Sequence, residues 1–170
     1  MHWRPALIAA LLVGTQLPTR QLRVLVAERD KVTRAEISAK LERAGLRVVA
    51  SCADAASAVS ALGRRRIDVC LIDLDLPGGG ITAARAIAAR QGRPHIIILA
   101  ATARERDIFA ALRAGADSFV LKDVDAVALP AHVTAVAAGD AVLPYGMTAR
   151  LIEEFRTLAV RAPSTKAEST

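Results

Sequence analysis

Short apolar runs recur along the chain at Leu22–Ala27, Leu46–Ala50, Ile67–Ile72, His95–Ala100 and Ser118–Leu121. Each has the length of a strand. Between them the apolar spacing changes to a helical one. Ile37, Leu41 and Ala44 form one stripe, and Ala55, Ala58, Val59 and Leu62 the next. Ala84, Ile87 and Ala88, then Ile108, Ala111 and Leu112, then Leu129, Val133 and Val136 give three more. Five strand–helix pairs in succession predict a parallel sheet covered on both faces, and right-handed crossovers leave few topologies. Gly45, Gly63, Gly92 and Gly115 stand near the helix ends, where a left-handed residue is expected. Pro130 falls in the fifth helix and is expected to kink or delay it. After Gly139 come a short apolar piece (Ala141–Leu143), a turn at Pro144–Tyr145–Gly146, and a last helix. Its apolar face of Leu151, Phe155, Leu158 and Ala159 reads as a surface for packing or for a second copy. The expected organisation is an extension over 1–20, a globular unit over 21–139, a linker and helix over 140–160, and a disordered polar tail over 161–170.

The most informative run is Val69-Cys-Leu-Ile-Asp-Leu-Asp-Leu-Pro-Gly78. It reads as a buried central strand that delivers the Asp73 carboxylate to the rim of the sheet. Such a carboxylate suits two roles, phosphate acceptor or metal ligand. In an open parallel sheet, ligands bind outside the carboxyl ends of the strands. Three of the expected strands end there in charged residues: Glu28 and Arg29 after the first, Asp73 and Asp75 at the third, and Lys122 after the fifth. An acceptor aspartate needs positive charge to receive a phosphoryl group. Mg²⁺ on one or two carboxylates fits that need, and a lysine is a good point charge for a phosphate oxygen.

Composition narrows the partners. The chain is 53% hydrophobic and 24% charged, as in ordinary globular proteins, but only 3% aromatic. Binding single-stranded nucleic acid by base stacking needs more exposed rings than that supplies. The formal net charge is +6, and the one dense basic run, Arg64-Arg65-Arg66, reads as a solvated loop. Cys52 and Cys70 lie in or beside strand-like runs, as small buried residues of a reducing cytosol would. His2, His95 and His132 are far apart and suggest no zinc site. The apolar stretch from Ala6 to Val13 is too short to span a bilayer, and no cleavage site follows it. A cytoplasmic protein without a membrane anchor is expected.

Three segments together resemble the receiver domain of a two-component response regulator over residues 22–139. They are Arg23-Val-Leu-Val-Ala27, Asp68-Val-Cys-Leu-Ile-Asp-Leu-Asp-Leu-Pro-Gly78 and Ala111-Leu-Arg-Ala-Gly-Ala-Asp-Ser-Phe-Val-Leu-Lys-Asp123. The last of these, with Ala135-Val-Ala-Ala-Gly-Asp-Ala-Val-Leu143, is similar to the NarL/FixJ subfamily. The resemblance implies a flavodoxin-like, doubly wound α/β fold with strand order 2-1-3-4-5. It implies Asp73 as phosphoacceptor, Lys122 as the phosphate-contacting lysine, and Mg²⁺ held by Glu28, Asp73 and the backbone carbonyl of Asp75. It also implies Phe119 as the aromatic that moves between states, a sensor histidine kinase as phosphoryl donor, and pairing into a homodimer.

The chain departs from the family pattern at two positions. The second acid after the first strand is replaced by Arg29, and the switch hydroxyl at the end of the fourth strand by Ala100. A guanidinium about 5 Å from Mg²⁺ would repel it by roughly 6–7 kcal/mol at an effective dielectric near 20. Arg29 therefore either blocks the metal, points to solvent, or pairs with Asp73 or Asp75 and stands in for the metal. Three functions compete: a phosphorylated signalling receiver, a phosphorylation-independent pseudo-receiver, and a phosphohydrolase of the haloacid-dehalogenase type built on Asp73 and Asp75. The last lacks a later acidic pair, so no enzyme is expected. No DNA-binding residue is assigned, because a single tail helix cannot form a two-helix reading unit.

Overall fold

In the computed structural model the described residues are 20–123 and 128–161; the expectations for residues 1–19 and 162–170 fall outside them. Five strands alternate with helices: β1 Arg23–Ala27, α1 Lys31–Arg43, β2 Arg47–Cys52, α2 Ala55–Ala61, β3 Val69–Asp73, α3 Gly80–Ala88, β4 His95–Ala100, α4 Glu105–Arg113, β5 Ser118–Leu121, α5 Ala128–Ala137 and α6 Met147–Arg161. All strand pairings are parallel, in the order β2-β1-β3-β4-β5. That is the flavodoxin-like order, and it places β3 at the centre of the sheet.

Alternation along the strands divides the core. Val24, Val26, Val69, Leu71, Ile97, Leu99 and Val120 pack with Ile37 and Leu41 of α1 and with Leu129, Val133 and Val136 of α5. Leu25, Cys70, Ile72, Ile96, Ile98, Ala100 and Phe119 pack on the other face with residues of α2, α3 and α4. A strand buried on both faces cannot show a polar alternation, which is why β3 reads as an unbroken apolar run. Cys52 and Cys70 are free and buried, and burial pushes the Cys70 thiol up to about 12.

Side chains fix the helix starts. Asp30 caps α1 by accepting from Thr33 N at 2.8 Å, and Asp54 caps α2 by accepting from Ser57 N at 2.8 Å. Gly45, Gly92 and Gly115 take the positive φ expected of them, but Gly63 does not. At Gly63 α2 instead unwinds through successive tight turns, Gly63 N to Ser60 O and Arg64 N to Ala61 O. Ala44, expected on the buried stripe of α1, is exposed because it is already the C-cap. Pro130 is the third described residue of α5, in an opening turn that tolerates proline, and the helix runs on to Ala137.

The stretch after α5 lies against the free edge of β5. Phe119 N donates to Val142 O at 3.1 Å, and Val142 N donates to Ser118 Oγ at 3.2 Å. An exposed sheet edge invites unwanted pairing, and this segment covers part of it. The chain then turns into α6, which Met147 anchors in the core and Arg113 pins through Glu154 at 2.9 Å. The apolar face of α6 is not packed against the domain: Ile152, Phe155 and Leu158 are 49%, 73% and 53% exposed. Of the two uses expected of that face, packing or pairing with a second copy, Phe155 and Leu158 do not serve the first, while Leu151 is half-buried; the side chain of Ala159 lies outside the described residues.

Two close approaches support β3 and β4. A Cβ on Gly80 would stand 2.2 Å from Asp73 O and 2.7 Å from Leu74 O, so α3 starts in contact with the backbone that carries Asp73. Asp117 accepts from Arg93 at 2.8 and 2.9 Å and from Ile96 N at 2.8 Å, tying the start of β5 to β4. Burial pushes the Asp117 carboxyl up, but these donors outweigh it and the net shift is downward.

Gly80→Ala should therefore lower stability by about 2 kcal/mol through overpacking in urea unfolding. Gly92→Ala, with φ at +61° and open space around it, should cost only about 1 kcal/mol. Asp117 contributes stability above the ordinary carboxylate pKa and loses it as pH falls through its lowered folded value. Asp117→Asn should cost about 1 kcal/mol at neutral pH, and the deficit should disappear below roughly pH 3 in a pH series of unfolding curves.

Candidate functional site

The charged residues at the carboxyl ends of β1, β3 and β5 meet. Glu28 follows the last residue of β1, and its side chain is turned inward by two contacts. Its Oε1 accepts from Asp30 N at 3.0 Å, and its backbone carbonyl accepts from the Arg34 guanidinium. Asp73 ends β3, fully buried, and its Oδ1 accepts from Asp75 N at 3.1 Å. Lys122 follows β5 and is aimed by its own backbone, whose N–H donates to Ala100 O at 2.8 Å.

The Lys122 ammonium stands 2.8 Å from Asp73 Oδ1 and 2.8 Å from Glu28 Oε2. Both carboxylates are buried, and the lysine is mostly so. Burial alone would pull the ammonium pKa down. The paired carboxylates outweigh burial and raise it, so Lys122 is charged throughout the physiological range. Asp73 Oδ2 is buried and has no hydrogen-bond partner among the described residues.

Arg29 lies across the open side of this pocket. Its Nε is 3.7 Å from Asp73 Oδ2, and its Nη2 is 3.8 Å from Asp75 Oδ2. Of the three orientations open to it on sequence grounds, the structure shows the paired one. Arg29 is 55% exposed and Asp75 58%, so these contacts are screened and contribute little to stability. They do place a positive charge beside the unpartnered oxygen.

The residues present do not fit Mg²⁺. Glu28 and Asp73 are already paired with Lys122, and the Arg29 guanidinium puts a positive charge 3.7 Å from the remaining oxygen of Asp73, where a cation would be repelled. No group of three or more His, Cys, Asp or Glu among the described residues is placed to hold a metal ion. Of the Mg²⁺ ligands that the resemblance implies, Glu28 and Asp73 converge here, and Arg29 supplies a cation where a second acidic ligand would stand, the departure already marked in the sequence.

Ala100 ends β4, buried in the same core cluster as Phe119, which is also fully buried. The end of β4 thus offers no hydroxyl to the pocket. Phe119 lines one side of a cavity of about 130 Å³ with His132, Val142 and Leu143. Sequence reasoning missed Arg34, whose Nη1 also lies 3.4 Å from Arg29 O and which fixes the loop carrying Glu28 and Arg29. Its only sequence signal is its place on the first turn of α1, facing back over the end of β1.

Comparison with known proteins agrees with this fold. The nitrate/nitrite response regulator protein NarP of Escherichia coli is 38% identical over 99 residues, which cover 58% of this chain and 46% of that protein. The transcriptional regulatory protein CseB of Streptomyces avermitilis is 37% identical over 117 residues, covering 68% of this chain and 49% of that one. The chain thus spans about half the length of these relatives. Among solved structures, a LuxR-family two-component response regulator from an Aurantimonas species superimposes with a TM-score of 0.72 at 29% identity, covering 80% of this chain and 99% of that chain. Residues 24–134 match the response regulator receiver domain. On sequence, fold and the grouping of Glu28, Asp73 and Lys122, the chain belongs to the receiver domain family of two-component response regulators, on its NarL/FixJ side.

Proposed function

We propose that residues 21–139 receive a phosphoryl group on Asp73 from the phosphohistidine of a sensor histidine kinase, and that the added charge changes which proteins the chain pairs with. The observation that carries this reading is Asp73 itself. It is a fully buried carboxylate on the central strand, with one oxygen held by Lys122 and the other without a hydrogen bond. Asp73 Oδ2 is the nucleophile: it forms the new O–P bond as the N–P bond breaks, and the imidazole leaves with the electron pair. Lys122 and Arg29 stand where charge builds on the transferred oxygens, and positioning and charge stabilisation do most of the work in such a transfer. The chain is a stoichiometric acceptor rather than an enzyme. The Asp73–Asp75 pair does not favour a phosphohydrolase, because Arg29 already spans it.

The output is pairing through α4, β5 and α5, with residues 140–160 as linker and helix and the exposed α6 face as a second contact for a homodimer. The relatives are named as response and transcriptional regulators. We place DNA contact outside this chain, because α6 alone is not a two-helix reading unit. A cytoplasmic site of action fits relatives named as response and transcriptional regulators; no helix among the described residues is long and apolar enough to cross a membrane. Ala100 and the buried Phe119 favour a second reading, a pseudo-receiver that pairs without phosphorylation.

Treatment with acetyl phosphate should add about 80 mass units to a peptide containing Asp73 and none in Asp73→Asn, read by mass spectrometry. No adduct on the parent chain would favour the pseudo-receiver. Ala100→Thr should restore a hydroxyl at the end of β4 and raise the phosphorylation-dependent gain in dimer fraction several-fold, on the order of 1 kcal/mol of coupling, in sedimentation velocity. An unchanged dimer fraction would remove Ala100 from the switch.

A further inference from the structure

We propose that Arg29 is the resident cation of this pocket, standing where a divalent metal would lie, so that Asp73 accepts its phosphoryl group without Mg²⁺. The second half of this statement rests on the phosphoacceptor reading above; the first half does not.

Charge supports it. Glu28, Asp73 and Asp75 carry three negative charges, and Lys122 and Arg29 two positive ones. With aspartate in place of Arg29, four negative charges would face a single lysine. The difference is two units, the charge of one divalent ion. The pocket with arginine therefore already has the net charge of an aspartate pocket loaded with metal.

Geometry supports it as well. The Arg29 backbone is held at the lip of the pocket by the Asp30 cap of α1 and by Arg34 on the carbonyls of Glu28 and Arg29. From there the guanidinium reaches both Asp73 and Asp75 at 3.7 and 3.8 Å, close enough for charge but longer than a hydrogen bond. That spacing leaves the buried Asp73 Oδ2 unpartnered, with the guanidinium Nε nearest to it and Nη2 nearest to Asp75. A phosphoryl group on Oδ2 would bring the oxygens that a guanidinium binds in pairs. A metal at the same place would have to displace the guanidinium, and even a displaced Arg29 would remain within the ~8 Å over which charge acts at physiological salt.

Titrating the whole chain with MgCl₂ by calorimetry tests the first half. The parent should show no saturable binding, and Arg29→Asp should gain Mg²⁺ affinity of at least about 100-fold. The same variant should show a melting temperature that rises with Mg²⁺, which also establishes that it folds. Labelling with phosphoramidate tests the second half. The adduct on Asp73 should form in the parent equally in EDTA and in Mg²⁺, and in Arg29→Asp only with Mg²⁺. Parent affinity for Mg²⁺ within about threefold of the variant, or loss of the parent's adduct in EDTA, would overturn the proposal. Absence of any adduct under every condition would overturn the phosphoacceptor reading, and the calorimetry would still decide whether Arg29 excludes the metal.

Discussion

One lysine holds two buried carboxylates, and the carboxyl end of the sheet is organised around it. Lys122 contacts Glu28 and Asp73 at 2.8 Å each, and these side chains come from the ends of β5, β1 and β3. Neither acid is stable there without compensation, because an unpaired carboxylate taken out of water costs several kcal/mol. Burial pulls the Lys122 ammonium pKa down, and the two acids that face it more than offset this. The three groups are therefore one unit. The unit also registers three strands against one another at the rim, where hydrophobic packing ends and precision would otherwise fall.

The same unit explains how a change at Asp73 can travel. Lys122 is shared, so a phosphoryl group on Asp73 competes for it with Glu28. Its backbone N–H is bonded to Ala100 O, which couples any shift of the lysine to the end of β4. In the rest of the family pattern a hydroxyl at that strand end supplies a second route; here the methyl of Ala100 packs in the core with Phe119 instead. In this chain the connection from Asp73 to β5 and to the end of β4 is through Lys122 and its backbone. The segment at Val142 is bonded to Ser118 and Phe119, so movement of β5 is felt directly where the chain leaves the domain.

Much of this was legible in the sequence, for a physical reason. Strand and helix periodicities follow from which faces are buried, and a parallel sheet covered on both sides makes its strands apolar runs. Asp73 stands out because it breaks such a run, and Glu28 and Lys122 because they end two others. What the sequence did not reveal are matters of direction. Arg29 has several rotamers, and only the loop fixed by Asp30 and Arg34 selects the one that faces Asp73. Gly63 and Ala44 were misread because the ends of α1 and α2 are set by turn hydrogen bonds, not by the apolar stripe. The α6 stripe correctly marked a helix, yet amphipathicity says nothing about whether the partner of the apolar face lies in the same domain.

Arg29 shows how a single side chain can change the chemistry of a site without altering its fold. The loop after β1 has the hydrogen bonds it would need with an acid there, and the Asp30 cap and the inward turn of Glu28 do not involve the Arg29 side chain. The substitution is therefore cheap in stability and large in electrostatics: two units of charge at less than 4 Å from the acceptor. A divalent ion can leave when it is chelated or scarce, whereas a tethered guanidinium is always present at a fixed stoichiometry. A receiver built this way would lose the ion as a variable and keep the charge as a constant. Its state would then depend on the phosphoryl donor and on the proteins that cover its output face.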